Sequence, residues 1–322
     1  MVALLAFLLL GIGFWSLTVG KYPLAPREVV AILLGVGGED SARTVILNVR
    51  LPRVLAAALV GMALAAAGAV YQVLFRNPLA APDILGASAG AGFGAALAIL
   101  LSLPVIFVHG MAFLGGLLAV GGVYLLAHAV RRHDPVLALI LSGVAVGTLF
   151  SAGISLIKVL ADPSVQLPTI TFWLMGGLNG VTGKELPFLL ALVALGSLPL
   201  FLLRWRLNLL ALPDEEAIAL GGNLTLLRGA VVAAATLVTS ASVAVSGIIG
   251  WVGLVVPHAA RLLVGPELSR LLPTAMLLGA SFLLATDTLA RTVADMEIPL
   301  GILTALVGVP AFLFLLVRGG RV

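Results

Sequence analysis

The chain has no cysteine, and only 10% of its 322 residues are charged. Without thiols there is no disulfide framework and no thiolate metal site, and the redox compartment leaves no trace in the composition. A soluble domain carries nearer ~25% charge, so the chain has too little polar surface to be a water-soluble globule. A phosphate-binding loop is missing as well. The two Gly-Lys pairs, Gly20-Lys21 and Gly183-Lys184, are followed by Tyr and Glu where Ser or Thr is needed, and neither has a glycine five positions earlier. There is no basic stripe or nucleic-acid recognition motif, and a formal charge of +4 is explained by arginines at membrane edges. His109, His128 and His258 stand on separate segments with no carboxylate at ligand spacing, and no nucleophile-base pair exists. The sequence therefore offers neither a catalytic residue nor a metal ligand.

What is present is hydrophobic: 61% of the residues, with a mean hydropathy of +1.21. Apolar runs recur along the whole length, about 3–19, 54–75, 84–103, 110–130, 136–160, 188–203, 229–247, 250–261, 271–290 and 299–317. Each is read as a helix crossing a hydrocarbon core of ~30 Å, the eighth being too short for a comfortable crossing. The expectation is a single multi-pass domain, 1–322, without an internal repeat. The apolar start lacks a basic n-region and a cleavage site, so it reads as the first span and not as a signal peptide. Lys21 to Arg50 is a polar excursion with a short amphipathic helix opening on Pro26. The arginines of the short turns (Arg76, Arg131, Arg132, Arg204, Arg206) place those turns and both termini in the cytoplasm. Asp287 is the only ionisable residue clearly inside a run, and Arg291, one turn on, is its expected structural partner.

One stretch carries more. Arg50-Leu51-Pro52-Arg53 opens a charge-free run containing LVG and ALAAAG, followed by Gln72, then Arg76-Asn77-Pro78-Leu79-Ala80-Ala81-Pro82-Asp83-Ile84-Leu85-Gly86 and a run of glycine, alanine and serine. With WLMGG at 173–177, SGIIGWVGLVVPHAARLL at 246–263 and EIPLGILTALVG at 297–308, this resembles the FecCD family of permeases, the membrane subunits of ATP-binding cassette importers for iron-siderophores, haem and cobalamin.

The resemblance implies an all-α transmembrane bundle of about ten spans in the cytoplasmic membrane of a prokaryote. It implies a homodimer around a central path, with two cytoplasmic ATPase subunits and a periplasmic or lipid-anchored substrate-binding protein. ATP and Mg would be bound by the ATPase, leaving no cofactor in this chain. It implies that a loop at about 211–226 couples to the ATPase through Asp214, Glu215, Glu216, Ala217, Leu220 and Gly221. There Gly221 and Gly222 end one short helix and a second follows at about 224–228. Arg50, Arg53 and Arg291 would stand hydrated at the outer rim and dock the binding protein. Asn77 and Leu79, with His133 and Asp134 of the next hairpin, would form the inner gate, and WLMGG would lie outside the membrane. Two alternatives stay open: the same scaffold importing an oxyanion such as molybdate, and an ion-coupled secondary transporter, which would show an inverted repeat and a buried ionisable site.

Overall fold

A computed structural model of the chain describes residues 1–130 and 135–319, and among these there is no strand. His133 and Asp134 lie outside the described residues. The helices are α1 (Val2–Thr18), α2 (Pro26–Leu33) and α3 (Asp40–Thr44), the last running through a π-helical turn (Val45–Arg50) into α4 (Leu51–Leu74). A 3-10 turn (Pro82–Leu85) leads to α5 (Ala87–Leu100), α6 (Val105–Ala129), α7 (Pro135–Leu160), α8 (Gln166–Met175) and α9 (Leu186–Leu207). Then come α10 (Asp214–Ala219), α11 (Leu224–Ser246), α12 (Val252–Val264), α13 (Leu268–Ala290) and α14 (Leu300–Gly319). Six of these segments are long and apolar enough to cross a membrane, those carrying α4, α6, α7, α9, α11 and α13; α1, α5, α12 and α14 are shorter apolar helices. Together they fall on the ten runs expected as spans. At 13 residues α12 measures about 20 Å, short of a ~30 Å core.

Local chemistry explains the joints. Glu28, in the first turn of α2, accepts a hydrogen bond from the Ala25 N–H at 2.9 Å, and Pro26 at the helix start needs no donor. Pro52 lacks an N–H and would crowd the carbonyl one turn earlier. The wider π turn just before it absorbs that conflict, so the helix continues without a break.

The bundle is built around α4 and α11, each with 78% of its apolar window buried, against 33%, 22% and 28% for α6, α7 and α9. The difference separates a protein-packed centre from a periphery. Leu118, Leu125, Leu149, Leu195 and Leu202 on those outer helices stand exposed, as lipid-facing residues do. In the centre, runs such as Ala63–Ala69 of α4 are fully buried, because residues this small let neighbouring backbones approach.

α8 corrects an expectation. Its first residue, Gln166, donates to the Leu100 carbonyl at the end of α5, while Leu174 near its other end packs over Gly92. It therefore runs back along α5, one of the helices expected to span, for about 12 Å, where the resemblance implies a segment outside the membrane. At its tip, Gly177 N–H donates to Ser246 O (2.8 Å) at the end of α11, and Leu300 N–H, opening α14, donates to Gly176 O (2.9 Å). Three helix ends thus meet at one level, and irregular backbone at such a depth is tolerated because protein surrounds it.

Candidate functional site

The end of the bundle that carries the turn after α4 also carries α10. α4 ends in a Schellman motif: Asn77 N–H bonds Gln72 O (3.0 Å) and Arg76 N–H bonds Val73 O (3.1 Å), with Arg76 in the left-handed region at φ 47°. A non-glycine residue there costs about 1–2 kcal/mol, offset by what its side chain holds. Arg76 Nε donates to Leu210 O (3.0 Å) and Nη2 to Asp214 Oδ1 (2.6 Å). Asn77 Oδ1 accepts from Leu79 N–H (2.9 Å), fixing the turn and leaving the Leu79 side chain exposed.

Asp214, opening α10, is gripped from a second side by Arg228 of α11, with Nη2 2.7 Å from Oδ2. Hydrogen bonds from Arg228, and then from Arg76, hold its carboxyl below the usual aspartate range. The carboxylate therefore stays charged throughout the physiological range. α10 ends in a second Schellman motif, Gly222 N–H to Ala217 O and Gly221 N–H to Ile218 O, with Gly221 at φ +81° where only glycine sits without strain. Glu215, Glu216, Ile218 and Leu220 face outward; Ala217 is fully buried and faces the bundle.

At the opposite end the arginines sit inside the protein. Arg53 is buried and makes a bidentate contact with the fully buried Asp287, Nε 3.0 Å from Oδ1 and Nη2 2.9 Å from the same oxygen, with Nε 3.1 Å from Oδ2. Its Nη1 reaches Glu297 at 2.9 Å. Arg50 Nη1 donates to Leu17 O (2.6 Å) and Nη2 to Tyr22 O; Arg291 donates to Val19 O (2.9 Å), Ser16 O and Ser16 Oγ (2.7 Å). Two guanidiniums thus close the C-terminal end of α1, where unpaired carbonyls and the negative end of the dipole favour cations. Beside them opens a cleft of about 930 Å³ between α8, the 176–181 loop and the 295–300 segment, lined by Arg53, His109, Phe172, Trp173, Asn179 and Glu297 among others.

Comparison with known proteins decides what kind of chain this is. The model of the FecCD transport family matches residues 8–318. The chain belongs to the FecCD transport family. It is 41% identical over 95% of its length, and 92% of the relative's, to the molybdate import system permease protein MolB of Haemophilus influenzae. To the cobalamin import system permease protein BtuC of Halobacterium salinarum it is 43% identical, over 87% of this chain and 75% of that one. A solved structure described as an inward-facing conformation of a putative metal-chelate type ABC transporter superposes with a TM-score of 0.90, at 39% identity and 98% coverage of both chains.

Within this FecCD chain the structure brings some expected residues together and separates others. Asn77 and Leu79 share one turn, joined through Arg76 to the α10 segment. Arg50, Arg53 and Arg291 do gather at one end, but the expectation of hydrated guanidiniums at the rim is corrected: Arg50 and Arg53 are buried, Arg291 is partly buried, and each donates to this chain's own carbonyl, hydroxyl or carboxylate oxygens. The expected pairing of Asp287 with Arg291 is present, Nε 3.8 Å from Oδ2, and is joined by a shorter contact from Arg53 at 2.9 Å that the spacing did not offer. Ala217, expected among the coupling residues, is fully buried against this chain's own bundle. The second short helix expected at 224–228 is the first turn of α11, which starts at Leu224 with Asn223 Oδ1 capping Leu226 N–H (3.1 Å). Sequence reasoning missed Arg76, Arg228 and Glu297. The signal for the first was available, since an arginine between a helix end and Asn-Pro has few other uses.

Proposed function

We propose that two copies of this chain form the translocation path of an ATP-binding cassette importer for a metal chelate in the cytoplasmic membrane of a prokaryote. Separate ATPase subunits, which bind ATP and Mg, dock on α10, and a substrate-binding protein delivers the cargo at the cleft end. The observation that carries the reading is the α10 face: Ile218 on this six-residue helix and Leu220 at its C-cap are exposed by 62% and 67%, beside Glu215 and Glu216, outside every membrane-length segment. Exposed apolar side chains outside the lipid-facing belt mark a protein-protein contact.

Because the chain has no native cysteine, Glu215→Cys provides a unique handle. It should crosslink to the ATPase subunit in membranes and resist an impermeant thiol reagent added outside intact cells. Labelling from outside would invert the topology and remove the proposal. The chain purified without partners should bind no ATP above background, measured by equilibrium dialysis with labelled nucleotide; saturable binding would contradict a separate ATPase.

The cleft supports a chelate over a small oxyanion. Its only arginine, Arg53, is engaged by Asp287 and Glu297, and aromatic and apolar groups make up much of the remaining lining. A tetrahedral dianion is best held by an unspent cationic donor, and Arg53 is already paired with two carboxylates. The molybdate reading keeps the support of one relative's name. Uptake assays offering ferric chelates and molybdate side by side to cells carrying the complete transporter would separate the two.

A further inference from the structure

The α10 helix is held to the bundle by one carboxylate gripped from two directions. Asp214 accepts from Arg76 at 2.6 Å and from Arg228 at 2.7 and 2.8 Å. Arg76 belongs to the turn that closes α4, immediately before Asn77 and Leu79, and also donates to Leu210 O, in the 3-10 turn (Asn208–Ala211) that precedes α10. Arg228 belongs to the first turn of α11, one of the two central helices. Apart from this triad α10 has a slender attachment: buried Ala217, and Gly222 N–H folding back on its carbonyl.

Resting on the proposed docking of an ATPase at α10, we infer that Asp214 is a positioning residue, the joint through which movement of α10 reaches the α4 turn and α11 together. It is therefore not itself a contact for the ATPase. The geometry favours this for three reasons. Both carboxylate oxygens already carry charge-assisted bonds, filling three of about four lone-pair sites, whereas Glu215 and Glu216 on the same helix are exposed and open to a partner. The two arginines come from different elements, so one displacement of α10 is delivered to the Asn77-Leu79 turn and to the bundle centre at once. Arg76 is kept in a left-handed backbone conformation, a local strain that persists where the surroundings fix it.

The test uses the complete transporter with its ATPase, trapped with Mg-ATP and vanadate or left nucleotide-free. Spin labels are placed on Leu79→Cys and Ala219→Cys, both exposed sites, with labelled chain diluted into unlabelled chain. With Asp214 intact, the separation of the two labels should change by less than ~2 Å on trapping, the scale of shifts between packed helices. In Asp214→Asn the ATPase should still co-purify, and the labels should separate by roughly 5 Å or more on trapping. Arg76→Gln should reproduce this separation while Arg228→Gln leaves it small, because only Arg76 ties the turn to α10; this pair decides the matter if Asp214→Asn does not assemble. Loss of ATPase co-purification from an otherwise folded Asp214→Asn, or label separation on trapping in the intact background, would overturn the joint. If the unmodified chain recruits no ATPase at all, the proposed function fails instead, a result recognisable before any variant is made.

Discussion

Arg53→Ala is expected to cost about 3–5 kcal/mol, the penalty for removing one partner of a buried ion pair and leaving the other uncompensated. Asp287 has no exposed surface, and three of the contacts that neutralise it come from Arg53. Arg291 at 3.8 Å is too far to replace them. At about 2 °C per kcal/mol, the low end that suits a chain of 322 residues, thermal unfolding in detergent should move down by roughly 6–10 °C. The double variant Arg53→Leu with Asp287→Leu should recover most of that loss, since removing both charges also removes the desolvation penalty. Arg50→Ala should cost less, because it leaves two backbone carbonyls without a partner and no buried charge. An Arg53→Ala protein that melts like wild type yet no longer holds its binding protein would show a free guanidinium at the rim after all, and the internal network would have to be abandoned.

That network shows where sequence reading reached its limit. The ten apolar runs were legible because each is a local property, set by side-chain hydropathy over about twenty residues. The end of α10 was legible for the same reason, a Gly-Gly pair after a short acidic segment. Pairings across the bundle were not. Arg53 and Asp287 are 234 positions apart, whereas Arg291 lies at i+4, so proximity in sequence pointed to the weaker partner. Arg76 and Asp214 are 138 apart and meet only because α4 and α11 are neighbours at the centre. The return of α8 along α5 escaped notice because a ten-residue apolar helix between polar segments has the same composition whether it lies on a surface or folds back inside. A firmer inference was available for Asp287: a lone carboxylate inside a span needs cationic compensation, and the same end of the bundle offered three arginines.

The second large effect should come from a residue with no side chain. Gly68 of α4 crosses α12 at Gly253, and a Cβ placed on Gly68 would overlap the Gly253 carbonyl oxygen and stand 2.8 Å from its Cα. The obstruction is backbone, which cannot rotate aside as a long side chain does. The crossing is fixed further by Gln72 Nε2 donating to Leu254 O at 3.1 Å one turn along, and by Pro82 lying against Gly253. Moving α12 away to admit a methyl group would break that bond and open a gap beside α4, so Gly68→Ala should lose about 1–3 kcal/mol by overpacking, and Gly68→Leu should prevent a stable fold. The intrinsic preference of a helix for alanine, about 1 kcal/mol over glycine, works in the opposite direction and makes the net result decisive. Gly121→Ala on α6 isolates that preference, because its added Cβ meets nothing within 4 Å and should be neutral or slightly stabilising. Comparing the two alanine variants for membrane accumulation and unfolding temperature tests the crossing directly; equal behaviour would mean that α4 and α12 do not approach as closely as the structure has them.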